Sequence, residues 1–101
     1  MKGNLDLLIL SVLERCAAHG YEVIVRLRER SRGAFDLPEG TVYPALHRLE
    51  RAGLLASEWE SAEGRRRRVY RLTGSGKEAL AAQAREWRQF SASMSAVLGT
   101  A

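Results

Sequence analysis

The hydrophobic period changes twice along this chain, and those changes constrain the fold more than any single motif. Up to Gly53 the apolar residues recur at helical spacing, over residues 54–73 they alternate in twos, and from Lys77 onward they form a heptad-like stripe. A chain of 101 residues builds one small domain. Three helical segments must therefore share a core with a two-stranded ribbon, and the last stripe is surplus to that core.

Residues 4–17 read as a first helix, with Leu5, Leu8, Ile9, Val12, Leu13 and Cys16 on one face. Leu7 and Leu10 fall outside that stripe and read as a second contact surface. The run Ala17-Ala18-His19-Gly20 breaks the pattern. Residues 21–30 form a second helix with Tyr21, Val23, Ile24 and Leu27 inward. A third ends at Gly53, with Val42, Ala45, Leu46 and Leu49 buried; it starts either at Thr41, with Pro44 in the first turn, or near Asp36 and Pro38, with Pro44 inside.

Residues 54–60 and 67–73 then read as strands joined by an arginine-loaded tip, with Trp59 assigned to packing. A final helix over residues 77–98 carries Leu80, Ala84, Trp87, Ser91, Met94 and Leu98 at alternating spacings of four and three, widened by Phe90 and Val97. The expected class is mainly α with a β-hairpin: a winged helix-turn-helix over residues 1–76, followed by a long C-terminal dimerisation helix over residues 77–101 within one structural unit.

The formal net charge of +4 has an address. Residues 61–71 hold Arg65, Arg66, Arg67, Arg68 and Arg71 against Glu63, and the remainder of the chain balances to zero. Clustered arginines neutralise phosphates and raise affinity for duplex DNA without selecting a sequence. On a regular strand Arg66 and Arg68 face one side, and Arg65 and Arg67 the other. Selection then falls to the outward residues of the third helix, whose N-terminal half enters the major groove in such motifs. Thr41 and Tyr43 suit phosphates, Pro44 offers apolar contact to a thymine methyl, and His47 and Arg48 suit base edges. Arg48 reads equally as one half of a surface ion pair.

Other classes fit poorly. No Ser-His-Asp or Cys-His grouping, paired carboxylates or metal-ligand spacing stands out, so neither an enzyme, a metal site nor a cofactor is expected. Cys16 has no disulfide partner, and its place on the buried stripe makes it an inert thiol. The apolar N-terminal run is short and interrupted by Asp6, Ser11 and Glu14, so a cytoplasmic protein without a membrane segment is expected. A winged-helix module that binds protein instead of DNA is the competing reading.

The runs His19-Gly20-Tyr21-Glu22, Gly40-Thr41-Val42-Tyr43-Pro44-Ala45-Leu46-His47-Arg48-Leu49-Glu50 and Arg67-Arg68-Val69-Tyr70-Arg71-Leu72-Thr73 resemble the PadR family of bacterial transcriptional regulators, in that family's order. The chain is similar to its short class, with a single helix after the wing. The resemblance implies a homodimer in which the C-terminal helix packs on the partner's N-terminal helix, with Leu7, Leu10, Leu80, Ala84, Trp87, Met94 and Leu98 at the interface. It implies a repressor that binds an inverted-repeat operator and leaves it when a signal is sensed. It also implies a slot for a small apolar or aromatic effector between the C-terminal helices, with Trp87, Phe90 and Met94 as candidate lining. Trp87 reads first of all as a packing residue.

Overall fold

The computed structural model describes residues 4–99. Its elements are α1 (Leu5–Val12), β1 (Ala18–His19), α2 (Gly20–Arg30), α3 (Glu39–Arg51), β2 (Leu55–Ala62), β3 (Arg65–Leu72) and α4 (Gly74–Leu98). The short α1 sits at the centre, touching α2, α3 and α4. A helix covered on three sides must be apolar almost all round. For that reason Leu10, expected at a second contact surface, is fully enclosed in the core beside Ile9, while Leu7 stays half-buried.

The first helix is also shorter than its apolar spacing predicts. It ends at Val12, with Leu13 as its C-cap. Residues 18–19 are needed elsewhere: Ala18 and His19 pair with Tyr70 and Val69, which adds a short third strand to the hairpin in the order β1-β3-β2. The intervening chain runs over the surface, where the Arg26 guanidinium donates to the Cys16 and Ala17 carbonyls at 3.1 and 3.4 Å. Cys16 is consequently exposed, not buried.

His19 ends this extended stretch and caps α2. Its Nδ1 accepts from the Glu22 backbone N–H while Glu22 Oε1 accepts from the His19 N–H, each at 3.3 Å, a reciprocal box that satisfies two helix-end donors. Val23, Ile24 and Leu27 face the core, whereas Tyr21 points out and is half exposed. Gly20, at the start of α2, lies under the Tyr43 ring so closely that a Cβ there would overlap it.

α3 takes the earlier of its two possible starts. Pro38 is the N-cap and Pro44 lies inside the helix, in its second turn. Its missing N–H leaves the Gly40 carbonyl without its usual intrahelical donor, on a face that is solvent-exposed and can be hydrated. The helix stops in a left-handed turn: Gly53 has φ +81°, the Gly53 N–H donates to the Glu50 carbonyl, and the Leu54 N–H reaches back to Leu49, both at 3.0 Å.

That turn feeds β2 directly, and the hairpin is tighter than expected. Ala62 pairs with Arg65, so the connection is only Glu63 and Gly64, at φ +53° and +75°. Two successive positive φ values make the turn type that matches the twist of a two-residue hairpin. Arg65 to Arg68 therefore lie along β3 instead of crowding the tip. Leu55, Tyr70 and Leu72 sit on one face and close the core.

α4 begins at Gly74, three residues before the expected Lys77. Thr73 caps it, accepting from the Gly76 N–H at 3.0 Å and donating to the Gly53 carbonyl at 2.6 Å. The first turn is thus wedged under the α3–β2 corner, and a Cβ on Gly76 would collide with the Leu54 backbone carbonyl. Gly74 has open space around it. Gly76→Ala should lower the unfolding free energy by about 1–3 kcal/mol. In urea titrations at fixed protein concentration, Gly74→Ala should leave it unchanged or raise it by about 0.5 kcal/mol.

Candidate nucleic-acid interface

Burial of Val42, Ala45, Leu46 and Leu49 fixes which side of α3 faces out. Gly40, Pro44, His47, Arg48 and Arg51 occupy the exposed side, with Thr41 and Tyr43 half-buried at its edges. This surface is divided. Tyr43 and His47 line a groove of about 1040 Å³ shared with α2 and the hairpin, into which Trp59 and all four arginines from Arg65 to Arg68 also open. Thr41, Pro44 and Arg48 line a second hollow, toward Leu5 of α1, together with Arg51.

Arg48 is not free to read bases as it stands. Its Nη1 and Nη2 donate to Asp6 Oδ2 and Oδ1 at 3.0 and 2.7 Å, a bidentate pair between α3 and α1. That hydrogen bonding raises the guanidinium pKa further still. The ion-pair reading of Arg48 is therefore the one the fold adopts. Arg51 is a candidate that sequence reasoning overlooks: it follows Pro44 and Arg48 at helical spacing, and no carboxylate among the described residues lies within salt-bridge distance of it.

The register of the hairpin sorts the arginines. Ser57 faces Tyr70, Trp59 faces Arg68 and Ser61 faces Arg66, so Arg66, Arg68 and Trp59 extend the core face beyond the domain. Trp59 does not pack inside, as expected from its type; it is 55% exposed. Arg68 Nε donates to Ser57 Oγ at 2.7 Å, and that hydroxyl donates to Glu50 Oε2 at 2.6 Å, which ties the wing to α3. On the opposite face Arg67 Nη1 lies 2.9 Å from His19 Nε2. Arg65 and Arg66 have no carboxylate within salt-bridge distance among the described residues.

Away from this surface, α4 carries an apolar stripe that the described residues leave uncovered. Trp87, Phe90, Met94, Val97 and Leu98 are large and exposed. Trp87 and Phe90 meet Leu7 and Asp6 of α1 around a groove of about 430 Å³, with Gln83 and Glu86 on the same helix. Among the expected interface residues, Leu7 and Trp87 are thus brought together, Leu80 is buried in the core, and Met94 and Leu98 lie farther along the helix. No helix in the described residues is long and apolar enough to cross a membrane.

The sequence profile of the transcriptional regulator PadR-like family matches residues 9–82, most of the chain. The chain belongs to this family. A PadR family transcription regulator from Clostridium difficile is 39% identical and superposes with a TM-score of 0.83, covering 95% of this chain and 99% of that one. Transcriptional regulator Rv3488 of Mycobacterium tuberculosis is 53% identical over 53 residues, which span 52% of this chain and half the length of that relative. Bacillus subtilis PadR, solved in complex with operator DNA, shares the fold at a TM-score of 0.72 and 23% identity, over 79% of this chain and 47% of that one. The matching family is one of transcriptional regulators, and the first two of these relatives are named as such.

Two phenols of this PadR-family chain report on the packing behind the interface. Burial, then the negative charge of Glu39, raises the Tyr43 pKa. Burial chiefly raises that of Tyr70, with Glu50 adding to the effect and Arg68 opposing it. The folded protein then retains phenolic protons that the unfolded chain has lost. Stability is intact below the ordinary tyrosine value of about 10 and declines as pH rises through it. Urea unfolding at increasing alkaline pH should show this decline, and Tyr70→Phe should flatten it; an equally steep decline in that variant would remove Tyr70 as its source.

Proposed function

We propose that this chain is a homodimeric, DNA-binding transcriptional repressor. In this reading it holds an inverted-repeat operator through paired α3 helices and wings, and a small apolar or aromatic molecule releases it. The observation that carries the proposal is the groove between α3 and the hairpin, where His47 and Tyr43 face Arg65, Arg66, Arg67 and Arg68. A helix set against a basic ribbon matches what a duplex presents: base edges in the major groove and a dense line of phosphates beside it. Membership of a family of regulators supports the same reading.

The roles divide by chemistry. Arg65 and Arg66, with no carboxylate in salt-bridge reach among the described residues, contribute charge. His47 and Pro44 are exposed on α3, where an imidazole can hydrogen-bond a base edge and a pyrrolidine ring can meet a thymine methyl. Thr41 lies at the N-terminal turn, where helix N–H groups favour phosphate. Arg48, held by Asp6, fixes α3 against α1 and presents its remaining donors to the backbone of the duplex. Binding of the chain's own upstream DNA should be measured in band shifts across a range of salt. Replacing Arg65 to Arg68 by alanine should reduce the salt slope by about 0.9 for each phosphate left unneutralised. His47→Ala should narrow the gap between specific and random duplexes. An unchanged slope removes the wing, and equal losses on both duplexes remove His47 as a reader.

Dimerisation is inferred from the stripe on α4. Phe90 is 63% and Leu98 68% exposed in the single chain, an apolar surface that a second copy would cover. The Trp87–Phe90 groove against α1 then lies beside the two-fold axis, where a planar ligand would slide between indoles. Phe90→Glu should shift the chain to monomer in sedimentation and abolish tight operator binding, because one half-site alone supplies only part of the contacts. A Phe90→Glu chain that remains dimeric would place the interface elsewhere.

A further inference from the structure

Trp59 has no role in the core and none assigned on the surface. Its indole stands on the outer half of β2, directly across from Arg68 and diagonal to Arg66. Both guanidinium carbons lie over the ring, Arg66 at 4.7 Å and Arg68 at 5.1 Å from the centroid. The two arginines differ in how else they are held. Arg68 is fixed through Ser57 to Glu50 of α3, with its Nη2 3.8 Å from Glu50 Oε2. Arg66 has no carboxylate within reach among the described residues, so the indole is what defines its direction.

We infer that Trp59 is a positioning residue of the wing, holding the Arg66 guanidinium extended for insertion into the minor groove of a duplex. The inference rests on the DNA-binding reading above and adds the device by which one wing arginine is aimed. A guanidinium stacked by its face keeps its edge N–H groups free for acceptors on phosphate, sugar or base. Stacking before contact also removes rotamer freedom that would otherwise be lost on binding. The chain of contacts from Glu50 through Ser57 and Arg68 to Trp59 sets Arg66 in a fixed relation to α3. A narrow A·T-rich minor groove, with its enhanced negative potential, is the fitting receptor for a single extended arginine.

A double-mutant cycle on the full chain tests this, using labelled A·T-rich and G·C-rich duplexes of equal length. W59A should weaken binding to the A·T-rich duplex about fivefold, the scale of an exposed cation–π contact. In an R66A background the same change should cost less than about twofold, since the partner is already gone. W59F should fall between W59A and the parent, and it serves in place of W59A if thermal unfolding shows that variant to be misfolded. Losses that multiply across the cycle, or an unaltered affinity of W59A where R66A is weakened, would overturn the inference and leave the DNA reading intact. R66A losses of equal size on both duplexes would put Arg66 on phosphates and overturn the groove assignment. R66A binding like the parent on both would count against the wing as a DNA contact altogether.

Discussion

The burial of one face of α3 is the constraint on which the rest of this structure depends. Val42, Ala45, Leu46 and Leu49 are enclosed between α1, α2 and the sheet. Once those four side chains are inside, the rotation of the helix is set, and with it the side that a duplex would meet. Three polar ties then hold its position along the axis. Arg48 is clamped to Asp6 on α1, Glu50 is joined to Ser57 on β2, and the Gly53 carbonyl accepts from Thr73 at the start of α4. These ties are exposed or half-exposed and individually weak. Their effect is geometric: they relate the reading helix to the first helix, the wing and the last helix within one small body.

One of these ties lies between the apolar face of α4 and the exposed face of α3. Asp6 both receives Arg48 and lines the groove that Trp87 and Phe90 form on α4. Asp6 thus stands between the apolar groove on α4 and the exposed side of α3. Charge and side-chain variety are separated in space. Four successive arginines concentrate positive charge on β3, while the exposed side of α3 mixes Gly40, Pro44 and His47 with Arg48 and Arg51.

Much of this is legible in the sequence. The inward faces of α2 and α3, the hairpin and the long apolar stripe of α4 follow from periodicity, and the net charge of residues 61–71 locates the basic ribbon. The departures share a cause: periodicity does not say where an element stops or where the core ends. A continuous first helix would carry Cys16 on its buried stripe, but β1 needs the backbone of Ala18 and His19 for pairing, so the helix stops early and Cys16 is exposed; Leu10 lies inside because α2, α3 and α4 cover α1 on three sides. Residue type alone would turn Trp59 inward, although its strand outruns the domain and no core reaches it. Tyr21 is exposed because it lies off the face that Val23, Ile24 and Leu27 turn to the core, although Gly20 and Val23 in the same turn are buried.

Local sequence determined the helices and the hairpin in outline, because these are specified by the spacing of apolar residues and by the φ values that Gly53 and Gly64 permit, while β1 and the end of α1 came from strand pairing. It also determined the sign and place of the charge. Tertiary structure alone decided the partners: which carboxylate receives Arg48, which hydroxyl holds Arg68, and that Arg66 rests on an indole. Such contacts join residues as much as 42 positions apart. No periodicity encodes them, since a side chain acquires a distant neighbour only after the helices and strands have been packed.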